Sequence, residues 1–199
     1  MGCDLPAQLT TAQEPTLKES RSLIRGQKLY RDLTHNFSFW RPLNWHQAQL
    51  QQPYGVVIYP EKDPRTGFYV TVADLGDGEG EITADDLPAL REGLLAGFAT
   101  LDRCTILSEK PISKDKAFGL EFILTFAIGE AEYKQHLRVL YDRGRQYSIY
   151  GQGSPPKEYD VFGNVFDYMY LTLRFGDLLL DLGVPLMPGM ETHYIPPDA

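Results

Sequence analysis

The sequence predicts an α+β fold, an α/β/α sandwich whose central twisted antiparallel sheet of about six or seven strands is backed by two main amphipathic helices. Three observations predict it. Alternating or continuous β-branched and aromatic runs recur along the chain, separated by short turn signals, as expected of strands joined by hairpins. Two segments place apolar residues at spacings of three and four, which puts them on one helical face. The 12 tyrosines, 10 phenylalanines and two tryptophans among 199 residues make the aromatic content high, and large rings favour pleated sheets, where they cover neighbouring strands.

The elements follow in order. Residues 3–20 are rich in Gln, Thr, Glu and Pro without an apolar period, so residues 1–22 are expected to form a mobile arm, with one domain over 23–176. Residues 27–33 read as a strand and Thr34, His35 and Asn36 can turn. Phe37-Ser38-Phe39-Trp40 then alternates until Pro42, completing a first hairpin. Residues 54–59 and 68–72 are further strands, separated by the turn formers Asp63, Pro64 and Gly67. Leu87, Leu90, Leu94, Phe98 and Leu101 make one helical stripe, opened by Thr83 and Asp86 in capping-box spacing, with Pro88 near the first turn.

Residues 104–108, 118–128, 133–141 and 146–150 are expected strands, and residues 142–145 between the last two are a hairpin turn. Ser154 as cap and Pro155 as first helical residue would start a second helix, striped by Phe162, Phe166, Met169 and Leu173 with Val161 and Val165 beside it. Pro185, Pro188, Gly189, Pro196 and Pro197 preclude regular structure at the end of the chain, so 177–199 is a C-terminal extension.

Composition narrows the function. A net charge of -8 and a pI near 5.0 argue against broad nucleic-acid binding, which needs a basic surface to neutralise phosphates. Cys3 and Cys104 lie in dissimilar contexts, so no disulfide framework is expected. No stretch approaches the roughly 20 apolar residues of a membrane-spanning helix, and as written the chain reads as cytoplasmic. Gly2-Cys3-Asp4 before a polar segment would suit a lipid-modified cysteine if a leader preceded it, giving an exported, lipid-anchored protein as the alternative.

Phe37-Ser38-Phe39 with Pro42, Asn44 and Trp45 resembles the opening signature of the PsbP-like superfamily, which also takes in Ran-binding Mog-type and DcrB-like proteins. Arg143-Gly144-Arg145-Gln146-Tyr147-Ser148 resembles its last hairpin, and Thr172-Leu173-Arg174-Phe175 the end of its final helix. The resemblance runs from Leu29 to Phe175. It implies an α/β/α sandwich and a role as assembly factor, binding subunit or chaperone, but it transmits no binding site.

Reactive constellations are weak. Asp74, Asp77, Glu79 and Glu81 among glycines superficially resemble a calcium loop but lack EF-hand spacing, and a solvated connection explains them. Ser154 and Lys157 fit Ser-x-x-Lys without the companion motifs of penicillin-recognising enzymes, so a helix start suffices. His35, His46, His136 and His193 have no metal-ligand spacing and read as scattered surface histidines. Cys104 is expected to pack rather than react. Gly151-x-Gly153 lacks the rest of a dinucleotide fingerprint, and Asn36-Phe37-Ser38 reads as a turn before a glycosylation site.

No catalytic, cofactor or metal residue is therefore assigned, and no cofactor is expected. The expected function is non-enzymatic binding or assembly with a protein partner. Trp40, Trp45 and Tyr54 are candidate contacts because aromatic rings on both faces of alternating strands crowd the interior, and Arg143 and Arg145 because they sit at a hairpin tip. The alternatives are a chaperone cradling an apolar segment on an open sheet face, and a small-molecule-binding enzyme whose site is assembled from residues distant in sequence.

Overall fold

The computed structural model describes residues 26–60, 63–75, 82–142 and 144–176. In chain order these form β1 (Gln27–Asp32), β2 (Phe37–Pro42), β3 (His46–Gln51), β4 (Tyr54–Tyr59) and β5 (Gly67–Asp74). A 3-10 turn (Ala84–Asp86) then leads into α1 (Leu87–Phe98). Next come β6 (Asp102–Lys114), β7 (Ala117–Ile128), β8 (Ala131–Asp142) and β9 (Arg145–Gly153), and the chain continues through α2 (Pro156–Thr172) to β10 (Arg174–Phe175). The arm and the extension assigned from composition lie outside the described residues.

Seven strands make the main sheet in the order β3-β4-β5-β9-β8-β7-β6, and every neighbouring pair is antiparallel. Because side chains alternate along a strand, the register sorts them into two faces. Phe122, Leu137 and Tyr150 stand opposite one another on one face, whereas Ile123, His136 and Gly151 share the other. On the first face, Leu120, Phe122, Leu124, Leu137 and Tyr141 form a core under the Leu87, Leu90, Leu94 and Phe98 stripe of α1. The Phe98 ring meets Phe122 edge-on at 5.0 Å. On the second face Val56, Ile58, Phe68, Val70 and Ile149 pack with Phe162, Phe166 and Met169 of α2. Two helices on opposite faces of an antiparallel sheet make the α/β/α sandwich that the sequence predicts.

The start of α1 follows from its residues. The Asp86 carboxylate accepts hydrogen bonds from the Thr83 backbone N–H at 2.8 Å and from its hydroxyl at 3.0 Å, which ties down the chain where the first turn has no intrahelical partners. The seating of α2 depends on a missing side chain. A Cβ on Gly151 would lie 2.6–2.7 Å from the Phe166 side chain, closer than carbon atoms pack, so only glycine lets the helix approach β9 this tightly.

Several expectations are corrected. The first hairpin does not join the main layer: β1 and β2, closed by β10, form a separate three-stranded sheet whose Phe37, Phe39 and Phe175 complete the α2-side core. Strand β3 was not expected, because in His-Gln-Ala-Gln-Leu-Gln only Ala48 and Leu50 carry an apolar signal, and pairing with β4 supplies the rest. Strand β6 runs on to Lys114 through Pro111, which breaks a sequence pattern but is tolerated on an edge that has no further strand neighbour among the described residues. The second helix starts one residue later than expected: Pro155 is its cap and Pro156 its first residue, while Ser154 lies outside. Strand β9 also runs past the expected end at Tyr150, through Gly151, and ends at Gly153.

Candidate functional site

The densest set of polar groups among the described residues lies between the sheet and α2, where sequence reasoning placed nothing. Alternation in β8 puts Lys134, His136 and Arg138 on the α2 side, and β7 presents Glu121 opposite Arg138. The Arg138 Nε donates to Glu121 at 2.8 Å and its Nη2 donates to Asp167 of α2 at 2.8 Å. The same Nη2 lies 3.1 Å from His136 Nδ1, which is 3.2 Å from the Tyr159 hydroxyl. Lys110 of β6 reaches Glu121 at 2.8 Å, and the guanidinium carbon of Arg138 sits 3.9 Å above the centre of the Tyr170 ring.

His136 is 8% exposed, which corrects its reading as a surface histidine. Arg138 can only donate, so Nδ1 acts as acceptor, and the ring is neutral with its proton on Nε2, 3.1 Å from Glu121. Burial and the Arg138 charge both push its pKa below the usual 6.5. Burial works upward on Glu121, but hydrogen bonds from Lys110 and Arg138 overcome it and hold the carboxyl at about 2, below its usual 4.5.

Both shifts make stability rise with pH, because the unfolded chain binds these protons more readily than the folded one. The His136 contribution is complete above pH 6.5 and is lost as pH falls below that value, and the Glu121 contribution is lost between 4.5 and about 2. The urea midpoint is therefore expected to drop in two stages on acidification, with His136→Gln removing the upper stage. A midpoint flat from pH 7 to 5 would contradict this assignment.

The network's charged groups pair with one another, and its closing residues come from α2, so the network fastens the helix to the sheet. Among the described residues no three His, Cys, Asp or Glu side chains stand together as metal ligands. A shallow open depression of about 220 Å³ lies elsewhere, lined by Arg103, Phe126, Glu132 and Tyr133 among others. Burial raises the pKa of Cys104, which packs against the α1-side core; a thiol held protonated is a poor nucleophile.

The residues singled out from sequence as partner contacts separate. Trp45, 4% exposed, is in the core, its ring edge-on to Phe162 at 5.5 Å and to Phe166 at 6.0 Å; Arg41 donates to the Trp45 carbonyl at 2.9 Å and fixes the turn. Tyr54 is half-buried, its hydroxyl donating to the buried Asp32 at 2.9 Å and its ring tilted by 33° against His35, with the centroids 4.0 Å apart. Burial and the neighbouring Asp32 carboxylate push its pKa up to about 12. Arg145 bridges to Asp74 across β5 and β9 at 3.0 Å. Arg143 lies outside the described residues, as do Asp77, Glu79 and Glu81 of the acidic run.

Trp40 remains on the surface, 43% exposed. It faces outward from β2 because Phe37, Phe39 and Arg41 take the inner positions, and its cross-strand partner is Leu29. Its backbone N–H donates to the Thr172 hydroxyl at 3.1 Å, which brings the end of α2 and the 64% exposed Leu171 alongside. Lys114 and Arg174 both donate to the Leu171 carbonyl, at 3.4 and 2.9 Å. An exposed tryptophan and leucine thus lie beside two cations, a combination that sequence order does not announce.

No family model and no curated protein matches the chain. Solved structures do. Cyanobacterial PsbP (CyanoP) from Synechocystis sp. PCC 6803 superimposes with a TM-score of 0.55 at 11% identity, covering 77% of this chain and 94% of that one. A Pseudomonas aeruginosa protein of unknown function, described as a putative regulator, gives 0.50 at 13% identity, covering 76% and 98%. At these identities the likeness is one of architecture alone, and on that ground the fold of this chain is PsbP-like.

Proposed function

We propose that this chain is a non-enzymatic binding or assembly protein and that Trp40, with Leu171 beside it, is the centre of its partner surface. The observation that carries the reading is the Trp40 ring held outward at the junction of the small sheet and α2. Aromatic and arginine side chains around an apolar centre are the residues that dominate protein interfaces. The self-paired network under α2 supports the same reading, since its titratable groups are engaged with one another rather than aimed into a pocket. The cradle alternative loses support from helices lying on both faces of the main sheet.

Affinity capture from native extract tests this. The unaltered protein is expected to retain a stoichiometric partner that Trp40→Ala with Leu171→Asp loses, while both proteins melt within about 1 kcal/mol of each other, as surface substitutions do. A partner retained equally by both would place the surface elsewhere.

A further inference from the structure

We propose that two copies of this chain associate through β3, pairing antiparallel about a twofold axis centred on Gln49. The main sheet has two edges, β3 and β6, and they are built differently. Strand β6 carries Lys110, Pro111 and Lys114, and its pairing with β7 shifts register twice, between Asp102 and Thr105 and between Ile106 and Ser108. Proline, lysine and bulges are the devices by which an edge is closed to further strands. Strand β3 has none of them. It pairs with β4 in unbroken register over its whole length, from His46 opposite Tyr59 to Gln51 opposite Tyr54, and its other side carries no strand among the described residues.

The sequence of β3 is self-complementary in one register. Gln47, Gln49 and Gln51 point to the α2 face and Ala48 and Leu50 to the other, because side chains alternate. Residues opposite each other in an antiparallel pair share a face. A twofold axis at Gln49 therefore sets Gln49 against its own copy, Gln47 against Gln51, and Ala48 against Leu50. Glutamine amides, each with donor and acceptor, meet amides, and apolar groups meet apolar groups. Such an interface is isologous and closes with two copies.

Charge selects a second copy over a charged peptide. The chain carries a net charge of -8, so two copies repel unless they meet where charge is absent. Apart from His46, neither β3 (His-Gln-Ala-Gln-Leu-Gln) nor its neighbour β4 (Tyr-Gly-Val-Val-Ile-Tyr) contains an acidic or basic side chain. A few paired residues make a small interface, so the association is weak, at the low end of specific contacts.

Sedimentation equilibrium of the full chain tests the proposal. A dimer that dissociates on dilution is expected, reaching full occupancy towards about 1 mM, and Gln49→Lys, which sets two like charges face to face, should leave a monomer with unchanged melting. Cysteine cross-linking reads the register. Under mild oxidation Gln49→Cys should form a covalent dimer alone, whereas Gln47→Cys should need Gln51→Cys on the other copy. A monomer at every concentration, including one whose β3 amides are protected by residues 1–25 of its own chain, overturns the proposal. So does a dimer that survives Gln49→Lys, or one that Gln47→Cys cross-links by itself.

Discussion

Replacing Glu121 by Gln is expected to cost the protein about 3–5 kcal/mol, the range for leaving one member of a buried ion pair without its partner. The reason lies with Arg138, which is 5% exposed and aligned on the Glu121 carboxylate. Without that charge its remaining carboxylate partner is Asp167, whose own side chain is 44% exposed and so carries an attraction weakened by water. Lys110 loses the same partner at little cost, since its ammonium end is exposed. The effect should appear as a lower urea midpoint with an unchanged slope, the mark of altered stability rather than an altered unfolded state. Replacing both members, as Glu121→Leu with Arg138→Met, should recover much of the loss, because apolar residues of similar volume replace a buried pair without a desolvated charge. A cost under about 1 kcal/mol for Glu121→Gln would mean that Arg138 is solvated after all.

Trp45→Ala should be comparably severe, at about 3–5 kcal/mol, the usual cost of truncating a buried large aromatic. The indole fills the angle between Phe162 and Phe166 of α2, and Phe166 already presses on Gly151 of β9, so the helix has no room to collapse into the cavity. Trp40→Ala removes the same chemical group from the surface and should leave chemical denaturation unchanged. The pair separates the two tryptophans by what surrounds them: equal losses from both would show that Trp40 is also a core residue, and no loss from either would show that the α2 packing described above is wrong.

Much of the fold was legible because its signals are local. The β-branched and aromatic run of β4 was delimited as Tyr54–Tyr59, and the α1 and α2 stripes identified both helices that face the sheet. Local signals fail where neighbours in space do the work. The glutamines of β3 carry no strand preference strong enough to register, and the hairpin β1-β2 reads the same whether it extends the main sheet or, as it does, forms another.

The site was less legible. Glu121 interrupts an apolar strand, a charge where burial is expected, and that was the available signal. Asp167 lies about 100° round α2 from Phe166, off the buried stripe of Phe162, Phe166 and Met169, where a charge raises no question. Nothing along the chain joins them to His136 and Arg138, because the four come from three elements brought together by strand pairing and helix docking.

Periods of two and of about 3.6 residues, set by backbone geometry, made most strands and both sheet-facing helices readable along the chain, but not β3 or the full length of β6. Packing settled that Trp45 is buried while Trp40 is exposed, that His136 is enclosed, and that β3 ends the main sheet among the described residues. Those outcomes depend on which faces meet, and burial is a property of pairs of surfaces rather than of positions in a chain.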